Sequence, residues 1–234
     1  MDLPFFYQQH IVPENKTVQL DEDTSKHIVQ VLRMNAGELI RLTDGIGKIF
    51  TARIVEAHKK KCIAELTGDV SVSDRTRIIH IAISPVKNTS RLEWFLEKVT
   101  EMGVASVSLL LCQRTEKQHV RHDRLNSILI SAMLQSQQGW LPVLQEPVPF
   151  EKYISSAIAP QRFIAHCIED GDRSPLTQFA PFTDASILIG PEGDFTPGEV
   201  ELAMTNGYRP VTLGHTRLRT ETAGMLAAAL MVNL

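Results

Sequence analysis

Leu213-Gly214-His215-Thr216-Arg217-Leu218-Arg219-Thr220-Glu221-Thr222-Ala223 joins a short β-rich run, Pro210 to Leu213, to the most apolar stretch of the chain, Ala223 to Leu234. A second stretch of the same kind lies upstream. Ile189-Gly190-Pro191-Glu192-Gly193-Asp194-Phe195-Thr196-Pro197-Gly198-Glu199 follows the strand-like Ser186 to Ile189 and leads into a helical pattern from Pro197 to Thr205. A strand, a glycine loop and a helix, twice over, predict an α/β layer with a mostly parallel sheet. In open sheets of this kind ligands bind outside the carboxyl ends of the strands, where such loops gather. Glycine lets backbone approach a ligand closely, Thr220 or Thr222 is placed to cap the last helix, and Glu221 falls in that helix's first turn, where negative charge is favoured.

Working outward, the same alternation holds back to about residue 78. Strands are expected at Ile78 to Ile83, Val104 to Leu111 and Phe163 to Cys167, with a helix from Asp123 to Gln138. The helix from Asn88 to Met102 carries Leu92, Phe95, Leu96, Val99 and Met102 on one face; Ser90 to Glu93 matches a capping box and Gly103 a C-cap glycine. Before residue 70 the period is different. Thr17 to Leu20, Gly37 to Thr43, Ile49 to Ala57 and Cys62 to Leu66 are short β-branched runs, with a turn at Asp44-Gly45 and one helical piece from Ser25 to Arg33 that Asp23, Thr24 or Ser25 can cap. Several strands and one helix in some 70 residues suggest a small barrel or sandwich. Asp69 to Arg77 is polar and lacks an apolar face, which divides the chain into domains 1–72 and 73–234.

Composition narrows the functions. With 24 basic and 27 acidic side chains the 234-residue chain has a formal charge of −3, which excludes indiscriminate coating of nucleic acid. The distribution is uneven: net −2 over residues 1–74, net +4 over 75–124 and net −5 over 125–234. Three cysteines, Cys62, Cys112 and Cys167, form no C-x-x-C pair, so neither a disulfide scaffold nor a cysteine zinc site is expected, and a reducing cytoplasm suits them. The N-terminal residues lack a basic region followed by a long apolar core, so no secretory signal is expected, and the apolar run to Leu234 is shorter than the ~20 residues that cross a bilayer. No membrane association is expected. Dinucleotide, P-loop, nucleophile-elbow and H-E-x-x-H motifs are all missing. His119 and His122 lack a third ligand, and no metal is expected.

The segments GPEGDF (190–195) and LGHTRLRTETA (213–223) resemble the two C-terminal signatures of the RsmE family, the 16S ribosomal RNA uracil-N3 methyltransferases of the SPOUT superfamily. His27 to Arg33 resembles that family's H-x-x-x-V-L-R element, Lys87 to Gly103 its lysine-led helix, and Gln135-Ser136 with Leu141-Pro142 its Q-S and proline turn. Asp194 stands where the family often has a second glycine. The resemblance implies an N-terminal PUA-like β-barrel that helps hold RNA and a C-terminal trefoil-knotted α/β methyltransferase domain, working as a homodimer on 16S rRNA or the small ribosomal subunit. It implies S-adenosylmethionine as cofactor, held by Leu188, Ile189, Gly190, Pro191, Glu192, Gly193, Leu213, Arg217, Leu218, Arg219 and Thr222.

Methylating uracil N3 requires loss of its proton and stabilisation of charge on the ring oxygens. Arg219 is the candidate for the second task, and Glu221 or Glu192 for the first. RNA contacts are expected from Arg33, Arg41, Arg53 and Lys59 to Lys61, and from Arg91, Arg114, Lys117, Arg121 and Arg124 in the basic segment. A SPOUT ribose 2′-O-methyltransferase and a non-catalytic ribosome-assembly factor are the alternatives.

Overall fold

A computed structural model describes residues 3–156, 158–168 and 173–234. The chain forms two compact units, one of residues 1–75 with 133–141, the other of 76–132 with 142–234.

The first unit contains β1 (Phe5–Tyr7), β2 (Thr17–Gln19), α1 (Glu22–Lys26), β3 (Leu39–Thr43), β4 (Lys48–Glu56) and β5 (Ile63–Val72). They make a curled five-stranded sheet in the order β1-β3-β4-β5-β2, antiparallel except for β1 against β3. Alternate residues Ile40, Leu42, Phe50, Ala52 and Ile54 face a core completed by Leu20 and Ile28. Three readings of the sequence need correction. β5 runs on to Val72 through residues whose polarity suggested a linker, because an exposed antiparallel ribbon needs no apolar face there. The helical piece starts at Glu22, three residues early, with Asp21 as its cap: the carboxylate accepts from the Thr24 amide at 2.9 Å. It then loosens into a π-turn over His27–Val31.

Residues 133–141 fold back onto this unit. The Gly47 amide donates to the Gly139 carbonyl at 2.9 Å, the Leu141 amide to the Gly45 carbonyl at 2.9 Å and the Trp140 indole to the Ser73 carbonyl at 2.6 Å. Gly47, at φ 102°, leaves the room that Trp140 fills: a Cβ there would stand 2.5 Å from the indole.

The second unit contains β6 (Ile78–Ile83), α2 (Thr89–Glu101), β7 (Ser106–Leu111), α3 (His122–Gln135), β8 (Val143–Pro149), α4 (Phe150–Ile154), β9 (Gln161–Ala165), β10 (Ser174–Pro175), β11 (Asp184–Ile189), α5 (Pro197–Thr205), β12 (Arg209–Thr212) and α6 (Thr220–Asn233). Its seven strands are all parallel, in the order β10-β12-β9-β11-β6-β7-β8. On one face Ala82, Ile164 and Leu188 pack under Phe150, Tyr153, Phe195 and Ala203 of α4, α5 and the loop before α5. The neighbouring residue of β6, Ile83, points the other way, toward α6, where a Cβ on Gly224 would come within 2.9 Å of Ile83 and 2.6 Å of Phe95 on α2. Asn88, not Ser90, caps α2, its side chain accepting from the Ser90 amide at 3.0 Å. Glu93, the other half of the expected box, instead pairs with Arg124 at 2.9 Å. No helix among the described residues is long and apolar enough to cross a membrane.

Candidate active site

Because every strand of the second unit is parallel, β9, β11 and β12, adjacent in the sheet, end on one edge. The loops leaving them wall two adjoining clefts. The first, of 420 Å³, is lined by Ile189 to Glu192, Asp194, Arg217 to Glu221, Ala223, Arg91, Ala165 and Cys167. The second, of 310 Å³, is lined by Val211 to Leu218, His166 and Arg173, and shares Ala165, Cys167, Arg217, Leu218 and Ala223 with the first. Both volumes fall in the range of small-molecule sites, ~300–1,000 Å³.

The loop after β11 is shaped by close approach. A Cβ on Gly190 would meet the Phe195 ring at 3.1 Å and its amide at 3.2 Å, so glycine is what lets the chain turn over that buried ring. Asp194 takes the left-handed conformation, φ 63°, and its carboxylate accepts from the amides of Phe195 and Cys167, each at 2.8 Å. Glu192 accepts from the Lys87 amide at 3.0 Å, and Arg114 donates to the Gly193 carbonyl at 2.7 Å. α5 then begins with a full capping box between Thr196 and Glu199.

The loop after β12 is turned by Gly214, at φ 137°. Neither threonine caps α6. Its N-cap is Arg219, whose side chain makes no capping hydrogen bond. Thr220 instead donates across to the Gly190 carbonyl at 3.0 Å, joining the two loops in a buried bond, and Thr222 is half-buried on the first turn. Glu221 is buried, its carboxylate 3.6 Å from the Arg91 guanidinium at the start of α2.

Of the residues expected at a cofactor site, Ile189, Gly190, Pro191, Glu192, Leu213, Arg217, Leu218 and Arg219 line one cleft or both. Leu188, Gly193 and Thr222 do not. Leu188 faces the core under Phe195, and Gly193 turns toward Arg114. Arg219, Glu221 and Glu192 all reach the first cleft. Ala165, His166, Cys167, Arg173 and Asp194 also line the site but were not among the expected residues. The signal for the β9 residues was the strand expected from Phe163 to Cys167; it in fact runs Gln161–Ala165, leaving His166 and Cys167 in the loop beyond it, and it becomes telling only once β9 is known to lie between β11 and β12. Burial, reinforced by the nearby Arg173 and opposed by Asp194, holds the His166 imidazole below its ordinary pKa.

The basic candidates divide by unit. Arg33, Arg53, Lys59 and Lys60 are exposed on the first, with Arg53 bonded to the Gly37 carbonyl at 2.9 Å, and Arg41 lies 5.2 Å from the Phe5 ring. On the second, Arg91 lines the first cleft and is engaged by Glu221, Arg114 donates to the Gly193 carbonyl, and Arg121 is exposed before α3. His122 is occupied by the Leu144 carbonyl at 3.1 Å. No cluster of three or more potential metal ligands occurs among the described residues.

Apolar walls from Ala165, Ile189, Leu213, Leu218 and Ala223, backbone of two glycine turns, and side chains of both charge signs suit a nucleoside ligand carrying ammonium and carboxylate groups. Known proteins agree with this chemistry. The profile of a family described as RNA methyltransferase domain matches residues 74–232, and that of one described as RNA methyltransferase PUA domain matches 20–67. The Ribosomal RNA small subunit methyltransferase E of Synechocystis is 28% identical over 234 residues, covering 95% of this chain and 76% of that protein. Among solved structures, a probable rRNA-methyltransferase from Porphyromonas gingivalis is 40% identical with a TM-score of 0.89, over 97% of this chain and 96% of that one. A Ribosomal RNA small subunit methyltransferase E from Neisseria gonorrhoeae bound to S-adenosyl methionine is 28% identical with a TM-score of 0.85, over 97% and 96%. With the RNA methyltransferase profile spanning residues 74–232 and both clefts lying within that span, the chain belongs to the RsmE family of RNA methyltransferases.

Proposed function

We propose that this protein methylates N3 of a specific uridine in 16S rRNA of the small subunit, using S-adenosylmethionine. The observation that carries this reading is the convergence of Arg219, Glu192 and Glu221 on one cleft, beside apolar and glycine-turn walls. The cofactor, when bound, supplies the methyl group activated as a sulfonium. Everything else falls to the chain. Arg219, exposed at the cleft, stabilises negative charge developing on the uracil oxygens. Glu192 is better placed than Glu221 to take the N3 proton, because Glu221 is already paired with Arg91. The two loops align base and methyl, the largest service such a site provides.

The N-terminal domain, residues 1–72, is the PUA-like barrel, with residues 133–141 folded back onto it, and the rest of 73–234 is the knotted SPOUT domain; the family profiles over 20–67 and 74–232 support this division. The exposed Arg33, Arg53, Lys59 and Lys60 and the basic segment with Arg121 contact RNA phosphates. A homodimer is supported by α6, which is apolar on every side yet leaves Met225, Leu226, Ala229 and Leu230 only half-buried. The protein acts in the cytoplasm, where its substrate is assembled.

Titration with S-adenosylmethionine, followed by mass-spectrometric mapping of 16S rRNA from a strain lacking the protein, tests the reading. A missing methyl on one uracil N3 is expected. Loss of a ribose 2′-O-methyl would replace it with the sister chemistry, and absence of cofactor binding would leave an RNA-binding assembly factor.

A further inference from the structure

Asp194 sits at a position where its backbone conformation and its side chain do separate things. The φ of 63° is one that glycine adopts freely and aspartate tolerates better than most residues. A glycine would therefore turn the chain equally well, and the carboxylate must be explained by what it touches. One oxygen accepts from the next amide, Phe195, at 2.8 Å; the other accepts at 2.8 Å from the amide of Cys167, two residues beyond the end of β9. Cys167 lines both clefts, and Asp194 lines the first. The side chain thus clasps the loop after β11 to the chain leaving β9, across the floor of the site.

Resting on the cofactor reading above, we propose that Asp194 is a positioning residue that pre-forms the cofactor cleft and thereby sets affinity for S-adenosylmethionine. A carboxylate bonded to a backbone amide is among the stronger hydrogen bonds, and a site held in its bound shape loses less on binding. Asp194 bonds the amides of Cys167 and Phe195 and none of the groups assigned to the reaction, Arg219, Glu192 and Glu221, so it acts on cofactor binding rather than on the chemical step.

The test compares the parent with Asp194→Gly, which keeps the turn and deletes the clasp, and Asp194→Asn, which keeps the turn and only one acceptor oxygen. Calorimetric Kd for S-adenosylmethionine should rise about tenfold in Asp194→Gly and by less in Asp194→Asn, while kcat at saturating cofactor stays within about twofold. Amide exchange at Cys167 should quicken in Asp194→Gly. A glycine variant that binds as tightly as a binding-competent parent, or leaves Cys167 exchange unchanged, overturns the proposal alone. A parent that fails to bind overturns the functional reading and this proposal with it. Should Asp194→Gly melt early, an unchanged Kd in Asp194→Asn overturns it in its place.

Discussion

The two glycine loops look alike in sequence and are held in opposite ways. The loop after β11 is fastened at nearly every residue: Glu192 to the Lys87 amide, Gly193 to Arg114, Asp194 to the Cys167 amide, and Thr196 in its capping box. In the loop after β12, the only hydrogen bonds among described residues from Leu213 to Leu218 join Gly214 to Thr212. Its arginines, Arg217 and Arg219, stand exposed. One loop is fixed by the protein itself; the other, on the function proposed above, carries charged groups for a substrate to organise. A binding surface gains from rigidity, whereas groups that meet a large flexible RNA gain from freedom to adjust.

The largest effect should come from the free loop. Arg219→Ala should slow methyl transfer by ~10²–10³-fold while shifting the melting temperature by under about 2 °C, since it removes an exposed charge and no packing. A variant with full activity would sink the assignment of Arg219 and the division of labour with it. Next, Gly190→Ala in the fastened loop should cost ~1–3 kcal/mol in denaturant unfolding, because the new methyl is driven into Phe195. Gly214→Ala probes the contrast directly. It meets no heavy atom within 4 Å, so only backbone strain opposes it, and a loosely held loop should relax to about 1 kcal/mol or less. A larger cost would show that the second loop is as constrained as the first. Thr220→Val, which deletes the bond linking the two loops, should cost ~1 kcal/mol and weaken cofactor binding modestly.

The smallest effect is on pH dependence. His166 in the folded protein binds its proton less readily than the ordinary histidine, at 6.5. As pH falls below that value the unfolded chain takes up the proton first, so stability present above pH 6.5 is lost as the pH drops through the folded value. Melting temperatures compared between pH 7.5 and 5 should fall less steeply in His166→Gln, and an unchanged slope would remove His166 from this account.

Much of this site was legible because α/β chains write their ligand loops in order: a strand such as Ser186 to Ile189, a glycine, then a helix opening at Pro197, where α5 does begin. What stayed hidden was everything set by lateral order in the sheet. Nothing near Cys167 says that β9 lies between β11 and β12, or that Asp194 reaches it. Caps were misread for a related reason. Ser90 and Thr220 are sound capping residues by type, but Asn88 lies nearer the helix start and the Thr220 hydroxyl is claimed by Gly190, contacts that local spacing does not encode.

The return of residues 133–141 to the N-terminal unit bears on how the protein is made. Strands β1 to β5 leave the ribosome long before Gly139, Trp140 and Leu141, yet Gly45, Gly47 and Ser73 keep hydrogen-bonding groups for those residues. The first unit is thus not finished when its own strands are: its sheet must wait, with the Trp140 berth open, while nearly seventy further residues emerge. A nascent chain stalled before residue 139 should carry this sheet in a protease-sensitive form, and the same sheet should become resistant once Trp140 is free of the exit tunnel.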